Sequence, residues 1–168
     1  MKPLVRMISA ALALVLQSGF AGAYASSTST SGHCTGMTVT DYTSSWAENI
    51  TASEAWQNVT DAHVNFTTSA TGCVIITFSG PAVVTAATDS DNILHVRTLL
   101  DGNNLCAPAY YDDRFEQAVS PAPLIASSIT RTCKNVAAGA HVLQVQFRGT
   151  DGTHNVYIHS SVLTVTHN

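Results

Sequence analysis

Charge is scarce in this chain, and lysine above all. Only 11% of its 168 residues are Asp, Glu, Lys or Arg, and Lys2 and Lys134 are its only lysines. Long apolar runs are missing too. The run Met7 to Leu16 is too short to span the roughly 30 Å of hydrocarbon in a bilayer, and no later segment comes closer. There is no C-x-x-C, no H-x-H and no G-x-S-x-G. These absences remove, in turn, a closely spaced zinc site, a metal pair carried on one strand face, and the nucleophile elbow of an α/β-hydrolase. A sustained helical period is also lacking, which argues against a helical domain.

What is present begins with an export pattern. Lys2 and Arg6 open the chain, the Met7–Leu16 run follows, and Ala23-Tyr24-Ala25 ends it before Ser26, as in a cleaved secretory signal covering residues 1–25. No cysteine follows that end at once, so no lipid-anchor point is expected and the mature product is read as secreted, extracellular or periplasmic. Without the signal, the basic side chains are Arg97, Arg114, Arg131, Lys134 and Arg148, against 11 acidic ones. A balance so acidic gives no electrostatic footprint for nucleic acid or for an anionic membrane. The partners expected are an extracellular glycan or protein.

All four cysteines lie after the signal, where an oxidising compartment permits disulfides. Four cysteines allow three pairings. The preferred one joins neighbours in chain order, Cys34–Cys73 and Cys106–Cys133, because each bridge then pins an irregular segment to a strand. Closing the span from 106 to 133 stabilises by roughly 3 to 4 kcal/mol on the chain-entropy model.

Residues 26–33 contain the low-complexity stretch Ser26–Gly32 and read as a flexible arm; residues 34–168 read as one domain. Within it, short β-rich runs alternate with turn residues every eight to twelve positions. Cys73–Ser79, ended by Gly80-Pro81, has apolar residues on both parities, as in a strand covered on both faces. Asn92–Leu100 stops at Asp101-Gly102. His141–Arg148 alternates, with Leu143, Val145 and Phe147 on one face and Gln144, Gln146 and Arg148 on the other. The pair Asp151-Gly152 predicts a hairpin returning through His154–His159, followed by a short strand at 162–166. Ser53–Gln57, opened by a capping serine, is the one candidate helical turn. With weaker runs at 36–40, 62–68, 82–87 and 123–133, the expectation is an all-β, two-layer sandwich of jelly-roll type with about 8–10 strands.

The series Cys73–Gly80, Leu94–Gly102 and Gly139–Arg148 resembles secreted bacterial β-sandwich domains of uncharacterised function, and more distantly the jelly-roll order of C1q/TNF-like domains. The similarity spans roughly residues 60–166. It implies the fold and brings no catalytic residues with it.

Candidate chemistry is sparse. Seven histidines, among them His95 on a strand that could lie beside 141–148, show no ligand spacing. Ser79 is read as a strand-end serine. Asp89-Ser-Asp-Asn92 and Asp101-Gly-Asn-Asn104 offer hard oxygen ligands for calcium, but at opposite ends of one strand, and turn chemistry accounts for them. No other cofactor is implied. The favoured contact is the loop 101–113, where Tyr110 and Tyr111 stand beside Asp112 and Asp113, with Asp101 and Asn103 at its base. A second surface is the polar face of His95, Arg97, Gln144, Gln146 and Arg148. Asn49, Asn58 and Asn65 begin N-x-T acceptor patterns for glycosylation. The function expected is a non-enzymatic binding module for an extracellular glycan or protein surface. The alternatives are a self-assembling subunit, as C1q/TNF-like oligomers are, and, further off, a small secreted hydrolase built on a carboxylate pair or triad.

Overall fold

A computed structural model describes residues 34, 36–85, 92–103, 106–107, 114–117, 124–150 and 152–168. The expected signal and arm lie outside the described residues, as do Asp89, Asp91, Tyr110, Tyr111, Asp112 and Asp113. Among the described residues there are ten strands and no helix: β1 (Val39–Ser45), β2 (Asn49–Thr51), β3 (Gln57–Thr68), β4 (Gly72–Val84), β5 (Ile93–Leu100), β6 (Arg114–Gln117), β7 (Ile125–Val136), β8 (Gly139–Arg148), β9 (Val156–Ile158) and β10 (Ser161–His167).

They form two packed antiparallel sheets. The first, sheet A, runs β1-β10-β4-β9-β2 with β7 on the other flank of β4; the second, sheet B, runs β3-β8-β5-β6. The pairings nest along the chain: β1 with β10, β3 with β8, β4 with β7, β5 with β6. A hairpin ribbon whose first strand meets its last, wound so that successive pairs alternate between sheets, is a jelly roll. The strand spacing in the sequence predicted this architecture.

The core follows from period-2 burial. On β8, His141, Leu143, Val145 and Phe147 point inward and Val142, Gln144, Gln146 and Arg148 outward. They meet Val74, Ile76 and Phe78 of β4, Leu94 and Val96 of β5, and Leu163 and Val165 of β10. Each such side chain contributes about 1.5–3 kcal/mol by leaving water. Phe78 packs on Phe115 of β6 with ring centroids 5.6 Å apart, joining the two sheets.

Both expected disulfides are formed, Cys34–Cys73 and Cys106–Cys133. The second ties the segment after β5 to β7, beside the bridge of Ala107 with Thr132.

Four local expectations need correction. First, β4 does not stop at Gly80-Pro81 but continues to Val84, so Ser79 is mid-strand. Its flank is shared: β10 pairs with Ile75–Ser79 and β9 with Ala82–Val84, and Pro81 falls in the gap between them, where its missing N–H costs no ladder bond. Gly80 is needed there, because a Cβ would lie 2.8 Å from the Ser160 carbonyl oxygen. Second, β4 is buried on one face only; Ile75, Thr77 and Ser79 are half-exposed on the other. Third, the Asp-Gly pair at 151–152 does not close a hairpin. Both flanks of β8 are occupied, by β3 and β5, so the chain crosses to sheet A and returns there as β9. Asn92 Oδ1 accepts from the Thr150 N–H at 3.2 Å and anchors that crossing. The tight two-residue turn is instead Asp101-Gly102, both with positive φ, closed by reciprocal backbone bonds between Leu100 and Asn103. Fourth, Ser53 opens no helix. Its Oγ accepts the Ala55 N–H at 3.0 Å in a local serine turn that leads into β3.

Candidate functional site

The outward positions of sheet A line up in rows across β1, β10, β4 and β7. One row is Thr40, Thr166, Ile75, Thr132; the next Tyr42, Thr164, Thr77, Thr130; the next Ser44, Val162, Ser79, Ser128. None of these residues carries a charge. Threonine hydroxyls meet across strands, Thr40 with Thr166 at 3.4 Å and Thr77 with Thr130 at 3.3 Å. The face is a lattice of hydroxyls and methyls.

At its end the rows close on a groove of about 300 Å³. Trp46, Gly80, Pro81, Ala126 and Val162 line it together with serines from the same four segments, and its surface is mainly apolar. That volume lies at the lower end of the range for small-molecule sites. Trp46 is 90% exposed, yet its backbone is held tightly. Ser45 Oγ accepts the Ala47 N–H at 3.0 Å, turning the chain around Trp46. Asn49 Nδ2 donates to the Ala47 carbonyl at 3.3 Å, and Asn49 Oδ1 accepts the Thr60 N–H at 2.7 Å, stapling the segment to β3. The segment that carries the indole therefore keeps little backbone freedom. Those bonds also bury Asn49, which leaves Asn58 and Asn65 as the exposed members of the three N-x-T patterns.

Of the residues singled out in the sequence, Asp101 and Asn103 stand at the Asp101-Gly102 turn. Asp101 Oδ1 accepts the Val142 N–H at 2.9 Å, and Oδ2 accepts from His141 Nδ1 at 2.8 Å. Asn103 Nδ2 donates to the Asp101 carbonyl at 3.1 Å. Local structure thus occupies both side chains. Tyr110, Tyr111, Asp112 and Asp113 lie outside the described residues. Among the described residues no group of three His, Cys, Asp or Glu side chains could hold a metal ion.

His141 is 9% exposed, and both its ring nitrogens face acceptors: the Asp101 carboxylate and, at 2.9 Å, the Ala137 carbonyl. Only the doubly protonated ring satisfies both. Burial pushes the His141 pKa down, but the bonds to Asp101 and Ala137 and the Asp101 charge outweigh it and leave it above 6.5. Burial likewise pushes Asp101 up, and His141 with the Val142 N–H brings it below 3.8. A raised histidine stabilises fully below its unfolded value and loses that contribution as pH climbs through the folded one; a lowered carboxyl does the reverse. Stability should therefore be greatest between about 4 and 6.5 and decline above that as His141 deprotonates. Urea midpoints across pH test this: His141→Leu should flatten the alkaline decline, and an unchanged slope would discount the pair.

The sequence missed the Trp46 groove, because its residues come from four separate segments. The available signal was the outward parity of Ser, Thr and Tyr in 40–44, 75–79, 128–132 and 162–166, which reads as an uncharged face once the strands are paired. Compared with known proteins, the chain matches no family model and no curated protein. The fold and the groove together define a disulfide-bonded jelly-roll domain with an exposed indole at the end of an uncharged set of rows.

Proposed function

We propose that this protein is a secreted, non-enzymatic binding module that seats a neutral extracellular glycan on the outer face of sheet A, with a sugar ring stacked on Trp46. The observation that supports the reading best is Trp46 itself, exposed on a segment whose neighbouring backbone is hydrogen-bonded in place beside the groove. A pyranose presents an apolar C–H face suited to an indole and a rim of hydroxyls suited to serine and threonine, and it needs no charge from its partner. The two disulfides fit an oxidising compartment, in keeping with export. Tyr110 and Tyr111, on the loop that the sequence favoured, stay in the proposal as a second contact.

The test is depletion of the protein from solution by insoluble cellulose and chitin, with the Trp46→Ala variant in parallel. Removing an aromatic anchor typically costs 2 kcal/mol or more, so capture should weaken by roughly thirtyfold or more while circular dichroism is unchanged. Equal capture of both proteins, or capture of neither, would sink the reading.

A second reading, self-assembly, is favoured by one feature of the same face. Ile50, Tyr157 and Val83 form an outward apolar row across β2, β9 and β4, with Ile50 49% exposed. Light scattering at high concentration separates the two, since a strict monomer leaves that row to the glycan reading.

A further inference from the structure

On the opposite side of the molecule, sheet B gathers positive charge that the sequence scatters. Register places Arg148 of β8 beside His95 of β5, and His95 beside Arg114 of β6; Arg97 lies opposite Gln146. Trp56, just before β3, draws two of these together. The guanidinium carbon of Arg97 lies 4.2 Å from its ring centre and that of Arg148 4.8 Å. The two guanidiniums can therefore be no farther apart than those distances combined. Gln146 Oε1 accepts from Arg97 Nε at 2.9 Å and Nη2 at 2.6 Å, fixing its plane. Arg148 is held more loosely. Its Nη1 donates to the Glu54 carbonyl at 3.4 Å, and its Nε–H is buried with no acceptor. It makes no ion pair among the described residues.

We propose that the Arg97–Trp56–Arg148 cluster is an oxyanion site, taking the carboxylate or sulfate of an acidic glycan. The indole and Gln146 hold this patch of the sheet in place, and an anion reaching the unpartnered Nε–H of Arg148 gains charge-assisted hydrogen bonds there. The glycan is favoured over an acidic peptide by what surrounds the cluster. Asn58, Thr60, His63, Asn65 and Thr67 present polar groups along β3, whereas Val142 is the only exposed large hydrophobic on this face among the described residues. A surround of hydrogen-bonding groups suits a hydroxyl-rich saccharide better than a peptide backbone with acidic side chains. The electrostatics agree: His95 is pushed below 6.5 by burial and then by the charges of Arg148 and Arg114, as a group in a positive field should be. This site is independent of the Trp46 groove.

The test is calorimetric titration of the full chain, at low ionic strength, with a galacturonate hexamer, a heparin-derived hexasaccharide, inorganic sulfate and a glutamate hexapeptide. Binding of either acidic saccharide is expected, weakened at least about tenfold in Arg148→Gln and partly restored in Arg148→Lys. In the parent protein, the ligand should also raise the His95 pKa read by NMR, a measurement that needs no variant to fold. Tight binding of inorganic sulfate alone reduces the site to a bare anion hole and overturns the glycan assignment, as does a peptide that binds better than both saccharides. Failure of the parent to bind either saccharide, or binding that leaves the His95 titration unmoved, overturns the site.

Discussion

Phe78→Ala should lower the free energy of unfolding by about 3–5 kcal/mol and the thermal midpoint by on the order of 10 °C. Phe78 is 0% exposed in the middle of β4, the strand flanked by β10, β9 and β7, and its ring meets Phe115 across the sandwich. Truncation removes the transfer energy of the ring and leaves a cavity that the flanking strands cannot close without breaking ladder bonds. Neighbouring Ser79 and Gly80 line the groove, but Phe78 points the other way. The variant should thus lose stability and still capture glycan under native conditions. Urea unfolding with a parallel depletion assay measures both. A loss under about 1 kcal/mol would show that the β4–β6 contact is not central to the core.

The second large effect concerns the staple between β5 and β7. Replacing Cys106 and Cys133 together by alanine frees a span with a sequence separation of 27 and should cost roughly 3 to 4 kcal/mol on the chain-entropy account. Both cysteines are 1% exposed, so alanine avoids burying two new hydroxyls. The loss should appear as a lower urea midpoint at an unchanged slope, because the surface exposed on unfolding hardly alters. A midpoint equal to the parent's would mean that the unfolded chain gains nothing from being released.

The fold was largely legible because its signals are local. The alternation of Leu143, Val145 and Phe147 sets one face of β8 whatever its neighbours are, and the four cysteines permitted a pairing that placed both bridges. Three signals failed, two because pairing is not local and one because a local serine turn mimics a cap. Asp151-Gly152 has the composition of a hairpin turn, yet β8 has no free flank for a return strand. Gly80-Pro81 looks like a strand end, yet it sits where β10 hands over to β9. Ser53 resembles a helix cap, yet no apolar period follows it. The candidate site was less legible still. Thr40, Thr77, Thr130 and Thr164 are ordinary residues until register aligns them. Arg97 and Arg148 are 51 positions apart in the sequence and converge only through the β5–β8 pairing and Trp56. The sequence could reveal that positive charge was scarce, but not that sheet B gathers most of it.

The account's central claim, that the outer face of sheet A around Trp46 is the contact surface, is tested most directly by mapping amide shifts in a labelled sample as a soluble cellulose or chitin hexamer is added. Perturbations should centre on Trp46, Ser79, Ser127 and Ser161 and spread along the threonine rows of β4 and β10. Shifts confined to residues 101–113 or to β3, β5 and β8, with Trp46 silent at saturation, would contradict it.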